Sequence, residues 1–269
     1  MLVIPAHAGI QPLTSLLLVI PAEAGIQLVT SVLRRSRKLD PGLHRDDEQK
    51  VTTEPRTILF DFDGVLVRHD SFAAWLRDRL RRERWRILPL LPILPVMPLF
   101  FASVRGTGWM ARVAVRLATA GLTEAEFLAD IRAFGRRFVE RPGMRVDGVV
   151  ARVREHAAAG DRVIVVSACA QPLLDAILAE LGLADIEAIG SEVALGRFGV
   201  RAAFHNYGAN KLVTLKRIGI VAPWDIAYSD SRADLPMLQH AHQAVLVNPG
   251  PRDERAVRAV LGGVAVERF

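Results

Sequence analysis

Two carboxylates stand two residues apart in Asp61-Phe62-Asp63-Gly64, directly after a short apolar run. Alternate residues of a strand point the same way, so a strand ending here lets Asp61 and Asp63 approach one site. One such carboxylate suits a nucleophile and the other a general acid/base, with Mg²⁺ lowering their repulsion. Alone, the string is a weak signal, since most such strings are turns. Three further features point the same way. Ser167 closes a second apolar run, where its hydroxyl and nearby N–H groups can hold phosphate oxygens. Lys211 opens a helical pattern, and its ammonium can neutralise charge on a phosphoryl group and on Asp61. Asp230 and Asp234 bracket a loop and offer hard oxygen ligands of the kind Mg²⁺ takes.

The elements that must position these residues alternate between strands and helices. Residues 57–62, 163–167, 226–229 and 244–247 read as buried strands. Helical periodicity covers 173–181, with Pro172 in its first turn and Gly182 stopping it, and also 211–218 and 235–241. Residues 193–204, with Gly196 and Gly199, read as a small hairpin. Asn248-Pro249 reads as a turn after the last strand. The expected fold class is α/β, a Rossmann-like open parallel sheet with ligands at the carboxyl ends of its strands. About a hundred residues between the first strand and Val163 lack strand signals. They are too long for a crossover and read as an inserted helical cap. The expected domains are an N-terminal extension at 1–50, a catalytic core at 51–68 and 161–269, and a helical cap at 69–160.

In order, the DFDG string, a serine ending a VIVVS strand, a lysine and the SDSRAD string resemble the four motifs of the haloacid dehalogenase superfamily, across roughly residues 56–250. The resemblance implies an aspartyl-phosphate mechanism with Asp61 as nucleophile and Asp63 as acid/base. It implies Ser167 and Lys211 as phosphate-binding residues. Asp61, the main-chain carbonyl of Asp63, and Asp230 would ligate Mg²⁺, with Asp234 in support. An alkoxide leaving group needs a proton and a halide does not, so the second aspartate implies a phosphatase. Ser229 departs from the glycine that many relatives carry there.

Within the cap, six arginines fall in ten positions: Arg77, Arg79, Arg81, Arg82, Arg84 and Arg86. Eighteen uncharged residues follow, from Ile87 to Val104, long enough for a membrane segment and flanked by Trp85 and Trp109. A single crossing would put Asp61 and Ser167 on opposite sides, and Pro89, Pro92, Pro95 and Pro98 oppose a straight helix. A shallow insertion at an anionic membrane surface fits better, through residues 77–86 and 87–104. The alternative is a soluble cap with a greasy groove. A second resemblance, carried by residues 69–72, the arginine run with its LPLLP continuation, Gln171 to Leu174 and the approach to Lys211, is to the phosphatidylglycerophosphatase C family. It implies a lipid phosphate substrate at the cytoplasmic face of a bacterial inner membrane. A soluble phosphatase for phosphoserine or a phosphorylated sugar or alcohol is the competing expectation.

Composition agrees with these classes. The chain has 269 residues, 51% hydrophobic, with net charge +6. A basic balance admits nucleic acid, an anionic membrane or a phosphorylated substrate, but two tyrosines and no zinc-finger spacing argue against nucleic acid. One cysteine, Cys169, excludes an internal disulfide and reads as a small packing residue. The seven histidines lack metal spacing, and His69, His240 and His242 read as surface or loop positions. Residues 3–11 return at 19–27 with one change, a repeat too short to stack. Residues 1–50 are therefore expected to be either a disordered tail or a translated repeat ahead of a start at Val51.

Overall fold

Aliphatic residues fill the run after Arg56 and make it a strand buried on both faces. The computed structural model describes residues 55–96 and 104–269. The expectation for residues 1–50 lies outside them. Seven strands form one sheet: β1 (Thr57–Phe60), β2 (Arg162–Ala170), β3 (Glu187–Gly196), β4 (Gly199–Phe204), β5 (Trp224–Ser229), β6 (Ala241–Val247) and β7 (Ala265–Glu267). Their order is β4-β3-β2-β1-β5-β6-β7. Every neighbouring pair is parallel except the β3–β4 hairpin. Period-two alternation sends Ile58, Phe60, Val163 and Val165 into one apolar cluster and Leu59, Ile164 and Val166 into another. Burying each such side chain contributes about 1.5–3 kcal/mol.

Helices cover both faces. Helix α1 (Ser71–Arg82) is followed by a 3₁₀ stretch at Arg84–Val96, then α2 (Val104–Thr119), α3 (Glu124–Val139) and α4 (Asp147–Ala158). Next come α5 (Gln171–Glu180), α6 (Asn210–Arg217), α7 (Leu235–Leu238) and α8 (Pro251–Leu261). Helices α3, α4 and α5 feed the first cluster through residues such as Phe134, Val149 and Leu173. Helices α6, α7 and α8 feed the second through Leu215, Met237 and Val257. Local sequence starts them: Asp70 caps α1 by accepting from Ala73 N–H, and Thr123 with Glu126 closes a capping box on α3.

The helices between β1 and α4 are held to one another and to the hairpin by polar contacts. Arg79, almost fully buried, donates to the Ala118 carbonyl and pairs with Asp130 at 3.2 Å and Glu83 at 3.0 Å. Arg86 is also buried, and donates to the carbonyls of Leu117 and Ala120 at the end of α2. The Val200 N–H donates to Thr119 Oγ1 at 2.7 Å, tying β4 to α2. Among the described residues no helix is long and apolar enough to cross a membrane. Pro89, Pro92 and Pro95 recur at the three-residue period of the 3₁₀ stretch that contains them, so their missing N–H groups fall along one edge.

Several boundaries differ from expectation. The first strand ends at Phe60, not Phe62, because the chain turns back on itself: Leu66 N–H donates to the Phe62 carbonyl at 2.9 Å. Ser167 lies within β2 rather than at its end, beside a register shift against β3 between Val166 and Ala170. The helix expected at 235–241 stops at Leu238, and Ala241 already pairs with Trp224 as the start of β6. The expected hairpin is present, but β3 begins at Glu187 and also runs parallel to β2; its polar and glycine residues hid that half. Asn248-Pro249 does not follow the last strand, since β7 comes after α8, and Asn248 N–H donates to the Glu267 carbonyl at 2.9 Å.

Candidate active site

Strand ends and one helix start bring the acidic residues together. Asp61 leaves β1 with its N–H still donating to the Tyr228 carbonyl at 2.8 Å, so its side chain is set by the neighbouring strand β5. Lys211, in the first turn of α6 and 2% exposed, donates to Asp61 Oδ1 at 2.8 Å and to Asp234 Oδ2 at 2.8 Å. Asp234 is also held by Ser229, whose hydroxyl donates to the same oxygen at 2.8 Å. Asp230 lies against Gly64, where a Cβ would come within 2.1 Å of its Oδ2. Asp63 Oδ1 accepts from the Ser71 N–H at 2.9 Å. Ser167, buried, accepts at its Oγ from the Cys169 N–H at 2.9 Å.

The site is electrostatically unbalanced. Burial raises the Asp61 carboxyl well above its usual range; Lys211 opposes that rise, while Asp234 and Asp230 add to it. Burial and the nearby Asp70 push Asp63 to about 8, although the Ser71 N–H favours its charged form. Burial and Asp234 lift Asp230 to about 7. Burial disfavours the Lys211 charge, but Asp234 and Asp61 outweigh it and hold the ammonium above the ordinary lysine value.

The family model for haloacid dehalogenase-like hydrolases matches residues 58–239, more than half of the sequence and all of the residues just placed. The chain is a haloacid dehalogenase-like hydrolase. It is 33% identical over 112 residues to a probable phosphatase of Mycobacterium tuberculosis, covering 39% of each chain. The match thus spans about two-fifths of that relative's length. A solved structure of a Bordetella pertussis protein with unknown function superposes with TM-score 0.59 at 25% identity, over 80% of this chain and 99% of that one. A phosphoserine phosphohydrolase-like protein of Francisella tularensis gives TM-score 0.51 at 18% identity, over 79% and 94%, and shares the fold.

The residues of this hydrolase fit a divalent cation. Asp61, Asp63, Asp230 and Asp234 outnumber the single ammonium among them, and Asp234 and Asp230 add to the rise that burial gives the Asp61 carboxyl. Hard oxygens in such a setting suit Mg²⁺. Among the described residues no three Asp, Glu, His or Cys side chains are grouped to hold an ion by themselves. The ligand set expected from the sequence needs only two carboxylates, Asp61 and Asp230, with the Asp63 carbonyl, and Mg²⁺ ordinarily keeps several waters.

Asp234, expected in support of the metal ligands, accepts from Lys211 and from Ser229. The departure at Ser229 is thereby explained, since its hydroxyl fixes the lysine's second partner. Cys169 is buried at the edge of the site, and its sulfur accepts from the Ser71 hydroxyl at 3.3 Å. His69, His240 and His242 are exposed, as expected. Sequence reasoning missed Asn206. Its amide donates to the carbonyls of Ser167 (3.0 Å) and Ile189 (3.1 Å), and its oxygen accepts from Thr214 on α6 (2.9 Å), so it joins the Ser167 strand to the Lys211 helix. A single asparagine in a loop carries no periodicity or spacing that marks it. Ser71 was visible only within the 69–72 string.

Proposed function

We propose that this chain is a Mg²⁺-dependent phosphomonoester hydrolase that works through an aspartyl-phosphate. The observation that carries the reading is the buried Lys211 ammonium shared by Asp61 and Asp234 beside two further aspartates. The phosphatase named among its relatives supports it. Asp61 Oδ attacks phosphorus, the bond from phosphorus to the ester oxygen breaks, and the Asp63 carboxyl gives its proton to the departing alkoxide. A carboxyl raised to about 8 still holds that proton at neutral pH. The Asp63 carboxylate then takes a proton from water as the water oxygen attacks phosphorus, releasing phosphate and regenerating Asp61. Lys211 and the Ser167 hydroxyl neutralise and orient the phosphoryl oxygens throughout. Asp61, Asp230 and the Asp63 carbonyl would hold Mg²⁺, which supplies further stabilisation of charge on those oxygens.

The substrate reading is a membrane lipid phosphate such as phosphatidylglycerophosphate, met at an anionic surface. An open groove of about 460 Å³ supports it, floored by Leu80, Ile87, Leu88 and Leu91 and rimmed by Arg77, Arg81 and Arg84. Trp85, beside it, is 62% exposed. Arg79 and Arg86 turn inward to build the cap, so only part of the arginine run faces outward. Apolar side chains with a cationic rim match an acyl-chain surface bearing anionic headgroups.

The test is Mg²⁺-dependent phosphate release by the full chain in mild detergent, from phosphatidylglycerophosphate, phosphoserine and glycerol phosphate. Preference for the lipid, lost in Asp61→Asn, supports both parts of the reading. Equal or better turnover of the soluble esters removes the lipid and leaves the chemistry, making the protein a soluble-ester phosphatase. Equal phosphate release by parent and Asp61→Asn removes the chemistry.

A further inference from the structure

Resting on the hydrolase reading, a second residue of the reaction is found where the chain leaves the acidic loop. Ser71 is the first residue of α1 and is fully buried. Its N–H, one of the donors that a helix start leaves without an intrahelical partner, points to Asp63 Oδ1 at 2.9 Å. The turn that aims it is fixed on both sides. Asp70 caps the helix by accepting from Ala73 N–H at 2.8 Å, and the Ser71 hydroxyl donates to Cys169 Sγ at 3.3 Å. Cys169 N–H in turn donates to Ser167 Oγ at 2.9 Å. One chain of contacts therefore runs from Asp63 through Ser71 and Cys169 to Ser167.

We propose that the main-chain N–H of Ser71 is the positioning donor of the reaction, occupying Asp63 Oδ1 so that the proton delivered to the leaving alkoxide is carried on Oδ2. Ser71 acts through Asp63 and touches no substrate. Because Ser71 opens the helix that carries Arg77, Leu80 and Arg81, the aim of the acid/base is set by the first turn of the cap.

The N–H can be removed without breaking the helix. Ser71 is at the first helical position, where proline is favoured, and Asp70 has φ −71° and ψ 109°, the extended conformation required before proline. Ser71→Pro deletes the donor and puts a ring carbon where its hydrogen pointed, so Asp63 Oδ1 must leave that place. Ser71→Ala, which keeps the N–H and loses the hydroxyl with its contacts to Cys169 and Asp63, is the reference. The readout is the first turnover on two esters, one alkyl phosphate and p-nitrophenyl phosphate. The alkoxide must be protonated as it leaves, whereas nitrophenolate departs as the anion. Relative to Ser71→Ala, Ser71→Pro is expected to lose about tenfold or more on the alkyl ester, since a placed acid contributes about 10²–10⁴, and under about threefold in the nitrophenol burst. A merely structural role slows both equally, and equal losses in a folded variant overturn the inference while the hydrolase reading stands. If thermal unfolding shows that Ser71→Pro does not fold, Asp70→Ala loosens the same turn and is expected to give a smaller selective loss relative to Asp70→Asn, which removes the same charge but keeps the cap; equal losses there overturn the inference too. Asp61→Asn matching the parent on both esters overturns the hydrolase reading and this inference with it.

Discussion

Gly64 and Asp230 occupy the same space: a Cβ built on Gly64 would stand 2.1 Å from Asp230 Oδ2. The loop after β1 and the loop after β5 are thus interlocked through a missing side chain. Gly64 also holds φ at +84°, a left-handed conformation that glycine alone adopts at no steric cost. The glycine of the DFDG string is a structural requirement for placing a carboxylate that is 166 residues away along the chain and adjacent in space.

Gly64→Ala should therefore strike activity harder than stability. The left-handed backbone costs about 1–2 kcal/mol with a Cβ present. The Asp230 carboxylate must also move, and misplacing a catalytic group by about 1 Å can cost about 10²-fold in rate. Phosphate release should fall about a hundredfold while urea unfolding shows a folded protein with a modestly lower midpoint. An alanine variant with parental activity would show that Asp230 is not needed where it sits.

Lys211→Met removes the one ammonium among four aspartates. Taking one partner from a buried ion pair costs about 3–5 kcal/mol, since the other charge stays buried. Here Asp61 and Asp234 both lose their donor. Activity should fall at least about a hundredfold, the loss seen when one transition-state donor is removed. The unfolding free energy should drop most at pH values above neutrality, where the Asp61 carboxyl, raised by burial and no longer opposed by Lys211, must be charged. Denaturant titrations at two pH values check the second point, and single-turnover kinetics the first.

Much of this site was legible because its chemistry sits at strand ends. Asp61, Asp63, Lys211, Asp230 and Asp234 each follow or open a strongly patterned element and Ser167 lies inside one, so type and position could be read together. The fold was legible for the same reason: β1 and β2 hold continuous apolar runs, as strands buried on both faces do, and β5 holds the shorter run Ile226 to Tyr228. Strand β3 was half hidden because Glu187, Gly190, Ser191 and Glu192 interrupt its apolar pattern near the edge hairpin. Strand β7 is three residues long and has no pattern to show. The partners of Asp234 were not legible, because sequence gives the loop its acids but not what they bond. Asn206 and the Ser71 N–H act through main-chain groups, which leave no mark on residue type.

Asn206→Leu tests that hidden layer. The side chain is fully buried and makes three hydrogen bonds, two of them to carbonyls of β2 and β3. Leucine keeps the approximate volume but leaves the Ser167 and Ile189 carbonyls without this donor, while the Thr214 hydroxyl keeps the Asn210 carbonyl. Each such buried group costs about 1–3 kcal/mol when unsatisfied, so a total loss of about 2–4 kcal/mol is expected. Because the lost bridge joins the Ser167 strand to the Lys211 helix, KM for the phosphate ester should rise together with the fall in stability. A variant that loses stability but keeps KM would confine Asn206 to the scaffold.

Asp130 supplies the pH dependence. It accepts from Trp75 Nε1 at 2.9 Å and from Arg82 at 2.6 Å, and pairs with the buried Arg79 at 3.2 Å. Burial acts to raise its carboxyl, but Arg82, Trp75 and Arg79 outweigh burial and hold it below the usual carboxylate value. A carboxyl depressed in the folded protein binds its proton more readily when unfolded. Its contribution is therefore complete above the unfolded value, about 3.9, and is lost as pH falls through the lower folded value. Asp130→Asn keeps the shape and abolishes the charge. It should cost about 1.5–3 kcal/mol at pH 7, the range for hydrogen bonds to a charged group. The gap between parent and variant should stay level down to about pH 4 and narrow below it. Parallel urea unfolding of parent and Asp130→Asn from pH 7 to pH 3 measures that gap directly. A gap that stays constant across the whole range would mean that packing, and not the carboxylate's charge, joins α1 to α3.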